Sequence, residues 1–199
     1  MPSSAYHHGN LKQALIAAGL EILSEQGLEG LSLRNVARRV GVSHAAPYNH
    51  FPDKQALLAA ISSAAHEQLN RALSNAFERA RRSSTDVVFA ISWAYVQFAL
   101  GDPGRFKLMF SGALEEELAH PDYVAITQKN LSLFREVIAF CQGIDQLPEG
   151  RVESLAVRLW SLVHGFAHLI LEDQFPKEFT RGRSLKDLLR DTIRAGSLA

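Results

Sequence analysis

The chain has 199 residues, of which 47% are hydrophobic and 21% charged, and its 21 lysines and arginines balance its 21 aspartates and glutamates. This composition excludes a largely disordered chain and a uniformly basic protein that binds nucleic acid without sequence preference, although a local basic patch is compatible with it. A single cysteine, Cys141, excludes a disulfide framework and a cysteine-rich zinc site, and it fits a reducing compartment.

The predicted elements of the first 80 residues are four helices. Apolar residues recur at spacings of three and four, which is the helical period, and strict alternation is almost absent. We predict these helices over residues 11–25, 32–41, 43–51 and 54–79. Their candidate N-caps are Asn10, Ser32, Ser43 and Asp53. Gly27 is the expected stop of the first helix.

Five further helices are predicted after a polar break at residues 81–85, over residues 86–100, 105–110, 121–143, 149–173 and 184–194. The first of them is apolar almost all round, which indicates a helix buried on several sides. The longest apolar stretch is too short to span a bilayer, and the first ten residues have no apolar signal core. We therefore expect an all-α, soluble, cytoplasmic protein of about nine helices that does not bind a membrane.

Residues 31–54 have the pattern of a helix-turn-helix. Gly41 permits the positive φ of a tight turn, and Ser43 is placed to cap a second helix whose start can point into a major groove. The segment has a net charge of +3, from Arg34, Arg38, Arg39, Lys54 and Asp53. A basic module within a neutral chain is compatible with sequence-specific DNA binding. The alternative is three solvated helices with scattered arginines.

The same region resembles the N-terminal DNA-binding domain of the TetR (tetracycline repressor) family of bacterial transcriptional regulators. The resemblance rests on residues 11–27, on LSLRNVARRVGVS at 31–43 and on YNHFPDKQALL at 48–58. The opening YHHGNL and the SHAAPY sequence resemble one subgroup, whose C-terminal domain carries Trp-x-x-x-His-Gly, here residues 160–165. The resemblance implies a DNA-binding domain over residues 1–53 and a regulatory domain over residues 54–199.

The resemblance also implies which residues contact DNA. Tyr48, His50 and Lys54 match family positions that touch phosphates, and Ser32, Arg34 and Ser43 are plausible additions at helix starts. Many family members have Gly or Thr-Leu where this chain has Ala46-Pro47, so polar base readers are scarce. The remaining candidates for base contacts are His44, Asn49 and the methyl groups of Ala45 and Ala46. The alternative for Tyr48 and Phe51 is packing within the domain.

Residues 54–199 resemble the regulatory domain of the family, which is usually helical, dimeric and ligand-binding. The candidate pocket residues are mostly aromatic: Ser92, Trp93, Tyr95, Phe98, Phe106, Met109, Phe110, Phe134, Trp160 and His164. The alternative is a tightly packed core without a cavity. The resemblance implies a homodimer that binds a palindromic, double-stranded DNA operator, most simply as a repressor controlled by an unknown small-molecule effector.

His164, His168 and Glu172 lie four residues apart on one helical face, so a metal-sensing regulator or a small metal-binding helical protein is the alternative function. No Glu lies between the histidines as in HExxH, and the lone cysteine offers no thiolate cluster. We therefore expect neither an enzyme nor a resident metal or cofactor. Cys141 as a redox switch and a pure interaction protein are weaker alternatives.

Overall fold

The computed structural model describes residues 11–83 and 85–196, and within them every regular element is helical. The α-helices are α1 (Leu11–Gly30), α2 (Leu33–Val40), α3 (Lys54–Ser83), α4 (Val87–Gly101), α5 (Pro103–Met109), α6 (Pro121–Gly143), α7 (Val152–Leu171), α8 (Lys177–Thr180) and α9 (Leu185–Gly196). Two short 3₁₀ helices cover Ala46–Asn49 and Glu117–Ala119. The predicted all-α fold is confirmed. Asn10, a predicted N-cap, lies outside the described residues.

The ends of the first two helices follow from local sequence. Gly27 has φ 67° and ψ −168°, so it breaks α1 at the predicted position, although a last turn continues to Gly30. Ser32 accepts a hydrogen bond from the backbone N–H of Asn35 and caps α2. Gly41 ends α2 in the left-handed region at φ 78°, where its N–H reaches the carbonyl of Ala37.

The predicted α-helix over residues 43–51 is wrong. The chain forms a 3₁₀ helix over Ala46–Asn49, its N-cap is Ala45, and no side chain caps it. Ser43 contributes only its carbonyl, which accepts the N–H of Ala46 at 3.0 Å. Pro47 has no N–H to donate, and the residue before a proline disfavours the α-region, so this short run between Gly41 and Pro52 does not extend into an α-helix. The short α8 was also not predicted.

Two compact units are formed by packing. The first contains the described residues up to His66 together with Gly104–Ile126. Its buried core draws on α1, α2, the start of α3 and α5, and includes Leu15, Val36, Phe51, Ile61 and Leu108. A Cβ atom at Gly104 would lie 3.0 Å from Cα of Ser24, so α5 meets the backbone of α1 directly.

The second unit contains Glu67–Pro103 and the described residues from Thr127 onward. Within it, α4 packs against α7 and α9. The guanidinium of Arg190 lies 4.3 Å from the centre of the Phe89 ring, and the buried amides of Asn70 and Asn130 share a 2.8 Å hydrogen bond. These units divide the chain by packing, and the functional boundary between residues 53 and 54 stays a prediction.

Helix α7 is long and apolar enough to cross a membrane by length and composition, with a mean hydropathy of 1.4 over its most apolar stretch. The helix on which a soluble protein builds its core satisfies the same criterion. Only 28% of that stretch is buried, and Val157, Trp160 and Leu169 are exposed by 61%, 44% and 43%. Helix α7 therefore has a broad side that its own unit does not cover, here called its apolar face, on which these three side chains lie among polar ones such as Ser161 and His168.

Candidate functional site

The turn and 3₁₀ helix after α2, residues 43–50, form an exposed surface that we call the recognition segment. Its exposed members are Ser43, His44, Ala45, Tyr48, Asn49 and His50, whereas Ala46 is half-buried. Pro47 is buried and fixes the segment to the domain. Seven of these eight residues thus keep their side chains at least partly accessible to a partner.

Core packing beside the recognition segment holds it in place, while Tyr48 within it stays exposed. Phe51 is only 2% exposed and lies in the core of the first unit, so its packing role is confirmed. Tyr48 is 52% exposed, so its ring does not serve as a core residue. Val42 packs partly against the same core. This arrangement leaves the Tyr48 hydroxyl available for an external partner.

Helix α2 supplies an ordered polar network at its start. The side chain of Asn35 donates from Nδ2 to the carbonyl of Gly30 at 2.8 Å, and its Oδ1 accepts from Nη2 of Arg38 at 3.1 Å. Ser32 is half-buried and uses its hydroxyl as the helix cap, whereas Arg34 is exposed. Ser32 and Arg34 are the two predicted phosphate contacts at this helix start. Ser32 already has a structural role as the helix cap, whereas the side chain of Arg34 is exposed.

Lys54 and Asp53 begin α3 with defined partners. The Lys54 ammonium donates to the carbonyl of Leu28 at 3.3 Å, and the Asp53 carboxylate accepts the N–H of Ala56 at 2.8 Å. Lys54 is exposed, so its remaining two protons can reach a second acceptor. It lies four residues beyond the recognition segment, at the edge where a phosphate contact is predicted.

Arg39 is paired with acidic residues of α1. Its guanidinium contacts both oxygens of Glu25, at 2.6 and 3.0 Å, and one oxygen of Glu21 at 3.3 Å. The hydrogen bond between them lowers the pKa of Glu25 and raises that of Arg39. The net charge of +3 counted along residues 31–54 therefore overstates the basic character of this surface.

In the second unit, a polar cluster joins α4 to α7. The Tyr95 hydroxyl lies 2.9 Å from Nδ1 of His164 and accepts a hydrogen bond from Nε1 of Trp160 at 3.3 Å. Burial raises the pKa of Tyr95. The pKa of His164 is lowered, mainly by burial and to a lesser extent by the nearby charge of His168. Both effects favour the neutral forms of the pair near pH 7.

Beside this cluster is a small apolar cleft, lined by Ile91, Ser92, Tyr95, Phe134, Leu159, Trp160 and Val163. Its cavity volume is about 10 Å³, which accommodates about one water molecule. A drug-sized ligand needs several hundred Å³, so this conformation does not hold one.

The ten predicted pocket residues do not form one group. Ser92, Tyr95, Phe134 and Trp160 line the cleft, and His164 bonds to Tyr95. Trp93 and Phe98 are half-buried on α4 and do not line it. Phe106, Met109 and Phe110 belong to the first unit, where Phe110 meets the buried His66 edge to face. Ile91, Leu159 and Val163 also line the cleft and were not predicted, although Leu159 and Val163 each precede a predicted residue, Trp160 and His164, on α7.

Metal and redox alternatives gain no support from the geometry. No group of three or more His, Cys, Asp or Glu side chains is arranged to hold a metal within the part of the chain that the structure describes. The rings of His164 and His168 are nearly parallel, with centres 6.3 Å apart. Cys141 is fully buried, and burial raises its pKa to about 12, which opposes the reactive thiolate.

Two family models match the chain. One, described as bacterial regulatory proteins of the tetR family, matches residues 15–61 and includes the recognition segment. The other, described as a tetracyclin repressor-like C-terminal domain, matches residues 88–192, which is more than half of the chain. The two models thus match separate segments, one in the N-terminal part of the chain and one in the C-terminal part.

Individual relatives agree. The chain is 45% identical over 53 residues to tetracycline repressor protein class C of Escherichia coli. These residues are 27% of this chain and 24% of that repressor. The chain thus spans about a quarter of that relative's length. It is 24% identical over 177 residues to the uncharacterized HTH-type transcriptional regulator YobS of Bacillus subtilis, covering 85% of this chain and 84% of YobS. A solved structure of a protein with unknown function from Rhodococcus sp. RHA1 is 28% identical, with a TM-score of 0.79 over 98% of this chain and 97% of that one.

Proposed function

The chain belongs to the tetR family of bacterial regulatory proteins, and we propose that it is a repressor that binds a palindromic DNA operator as a homodimer and releases it in response to an effector. The observation that carries the proposal is the exposed recognition segment, residues 43–50, held on a helix-turn-helix by the buried Pro47 and Phe51. Residues 1–53 would bind DNA, and residues 54–199 would regulate and dimerise.

Two kinds of DNA contact are assigned to this surface. Phosphate contacts would come from Ser32, Arg34, Ser43, Tyr48, His50 and Lys54, which fix the register of the protein on the duplex. Base contacts would come from His44 and Asn49, and from the methyl groups of Ala45 and Ala46 against thymine. Ala45 is exposed and Ala46 half-buried, so Ala45 has more room for a methyl contact. With two polar readers in each protomer, DNA shape would supply much of the remaining specificity.

The apolar face of α7 supports the dimer. Val157, Trp160 and Leu169 expose large apolar side chains on a helix that would otherwise meet water. Packing α7 and α9 against their copies in a four-helix bundle would bury this face and pair two recognition segments about one helical turn of DNA apart. The same burial accounts for the high hydropathy of α7 in a cytoplasmic protein.

Control by an effector would use α3, which is one unbroken helix from Lys54 to Ser83 and contributes residues to both compact units. An effector that binds better to one arrangement of the regulatory domain shifts the population toward it, and α3 would carry the change to the DNA-binding domain. By linkage, operator DNA must weaken effector binding by the same factor. Four of the residues that line the cleft, including Tyr95 and Trp160, are also predicted pocket residues, so we place the effector site there.

The experiment is selection of bound duplexes from a random library, followed by sequencing. An enriched inverted repeat would establish a dimeric, sequence-specific regulator, and its release by candidate effectors could then be screened. A folded protein that enriches no sequence at low and moderate salt, with and without metal ions or small-molecule pools, would contradict the proposal. A metal-dependent enrichment would favour the alternative that uses His164 and His168. No catalytic role is proposed, in keeping with a family of transcription regulators.

A further inference from the structure

Arg39 lies in the last turn of α2, immediately before the turn that leads to the recognition segment. Its guanidinium is bidentate on Glu25 and also contacts Glu21, and these two carboxylates stand four residues apart on α1. The side chains of Glu21 and Glu25 are 60% and 54% exposed, and that of Arg39 is 32% exposed. The cluster of Arg39, Glu21 and Glu25, here called the arginine clamp, is therefore a surface feature and not part of the core.

The other arginines of α2 are held differently. Arg38 donates to Oδ1 of Asn35, a neutral acceptor that orients the guanidinium without cancelling its charge. Arg34 is exposed at the start of the same helix. One helix thus carries two arginines that keep a full positive charge and one whose charge is offset by two carboxylates.

This difference affects DNA binding because nonspecific affinity depends on how many phosphates a protein neutralises. Residues 11–54 contain five basic side chains, Lys12, Arg34, Arg38, Arg39 and Lys54. They also contain four acidic ones, Glu21, Glu25, Glu29 and Asp53. The difference is a net charge of only +1 for residues 11–54, and two of the four acidic residues belong to the arginine clamp.

We propose that Glu21 and Glu25 hold Arg39 away from the phosphate backbone, so that the arginine clamp limits sequence-independent DNA binding. Arg39 then affects DNA binding because its charge is withheld from any duplex, whatever the sequence. A phosphate contact carries no base information, so withholding one lowers the affinity for DNA of any sequence and reduces occupancy of the large excess of nonspecific sites. The inference rests on the proposed DNA-binding function.

The test is the salt dependence of binding to a random duplex, measured by fluorescence anisotropy of labelled DNA for the full-length protein. Arg34→Ala is the matched control on the same helix. It should make the plot of the log association constant against log salt concentration shallower by about 1. Arg39→Ala should leave the slope unchanged. The double variant Glu21→Gln/Glu25→Gln should steepen the slope by about 1, and raise affinity for the random duplex roughly fivefold to tenfold near 0.1 M salt.

A triple variant, Glu21→Gln/Glu25→Gln/Arg39→Ala, separates release of Arg39 from the mere loss of two negative charges. The steeper slope of the double variant should disappear in the triple variant. The inference is overturned if Arg39→Ala flattens the slope as much as Arg34→Ala, or if the triple variant keeps the gain. It is also overturned if the double variant binds random DNA like the wild type. Arg39→Gln serves if Arg39→Ala does not fold. A wild type that binds neither operator nor random DNA contradicts the proposed function itself, and the inference falls with it.

Discussion

The hydroxyl of Tyr95 and Nδ1 of His164 lie 2.9 Å apart, although 69 residues separate them in the chain. Trp160 donates to the same hydroxyl from one turn earlier on α7. One buried oxygen on α4 therefore positions two side chains of the helix that carries the exposed apolar face. The bond links the wall of the proposed effector cleft to the surface at which a second protomer is proposed to pack.

Tyr95→Phe should remove this link while keeping the ring. We expect a loss of about 1 kcal/mol in the free energy of unfolding, because a hydrogen-bonded hydroxyl is lost and Trp160 and His164 lose their acceptor or donor. The measurement is urea denaturation, with Trp160 fluorescence read in a Trp93→Phe background. Tyr48→Phe is the control, since its side chain is 52% exposed and its hydroxyl is accessible to water. Equal losses in both variants would contradict a special role for Tyr95.

The stability of the first unit should depend on pH through His66. This side chain is 6% exposed, it meets Phe110 and Tyr123 edge to face, and burial lowers its pKa to about 4. The unfolded chain therefore binds more protons between pH 6.5 and 4, so stability is full above pH 6.5 and falls as the pH drops. His66 alone should cost roughly 2 kcal/mol between pH 7.5 and 5. Denaturation of His66→Phe over that range should show a shallower dependence; an identical dependence would exclude His66 as the source.

Two substitutions separate base from phosphate contacts in the recognition segment and its flank. His44→Ala should cost roughly 1–3 kcal/mol on the operator and relax the preference at one position of each half-site, with little effect on random DNA. Lys54→Ala should weaken binding to both duplexes and lower the salt slope by about 1. Equal losses on operator and random DNA for His44→Ala, or an unchanged slope for Lys54→Ala, would refute these assignments. Thermal unfolding of Lys54→Ala controls for the loss of its bond to Leu28.

Gly104→Ala should disturb the contact between α5 and α1. The added methyl group would lie 3.0 Å from Cα of Ser24 and 3.2 Å from the carbonyl oxygen of Leu23, both of them backbone atoms that cannot rotate away. We expect a loss of about 1–3 kcal/mol by thermal or urea unfolding. Gly101→Ala is the matched control, because its added methyl group would meet no atom within 4 Å beyond its chain neighbours and the adjacent backbone of its own helix. Similar stabilities of the two variants would show that α5 tolerates displacement.

A charge on the exposed face of α7 should prevent dimerisation. Val157→Glu replaces a side chain that is 61% exposed in the single chain and proposed to be buried in the dimer. Burying an uncompensated carboxylate is costly, so the variant should be monomeric by sedimentation and should lose operator binding. Leu118→Glu changes the most exposed large apolar side chain among the described residues of the first unit, at 88%, and should remain dimeric. A dimeric Val157→Glu would place the interface elsewhere.

Local signals predicted most helix boundaries but not the contacts between distant residues. Ser32, Gly27 and Gly41 act as predicted because capping and left-handed geometry depend on adjacent residues. Ser43 does not act as a helix N-cap, although serine favours that position, because Pro47 and Pro52 prevent an α-helix from forming after it. The net charge of +3 over residues 31–54 treats Arg39 as a free cation, but its partner Glu25 lies 14 residues earlier on another helix. That pairing depends on how α1 and α2 pack, which spacing along the chain does not encode.

The candidate site follows the same division. The prediction that α4 is buried on several sides is confirmed, since its aromatic residues are buried or half-buried, and four of the ten predicted pocket residues line one cleft. Phe106 and Phe110 are also aromatic and lie at helical spacing, like the aromatic residues of α4, yet they pack in the first unit. Apolar periodicity predicts that a residue is buried, but it does not predict which residues it will contact. The Tyr95–His164 bond likewise required both positions in space.

The small size of the cleft beside Tyr95 also affects how an effector could be measured. Any molecule larger than water that enters it must first find the cleft open, so the observed dissociation constant equals the intrinsic one divided by the fraction of open protein. If opening precedes binding, the observed rate should reach a plateau as effector concentration rises. Shortening Phe134 or Leu159, which line the cleft, would then tighten effector binding while lowering the stability of the unbound protein. Sensitivity to the effector and stability in its absence would be opposing properties of the same few side chains.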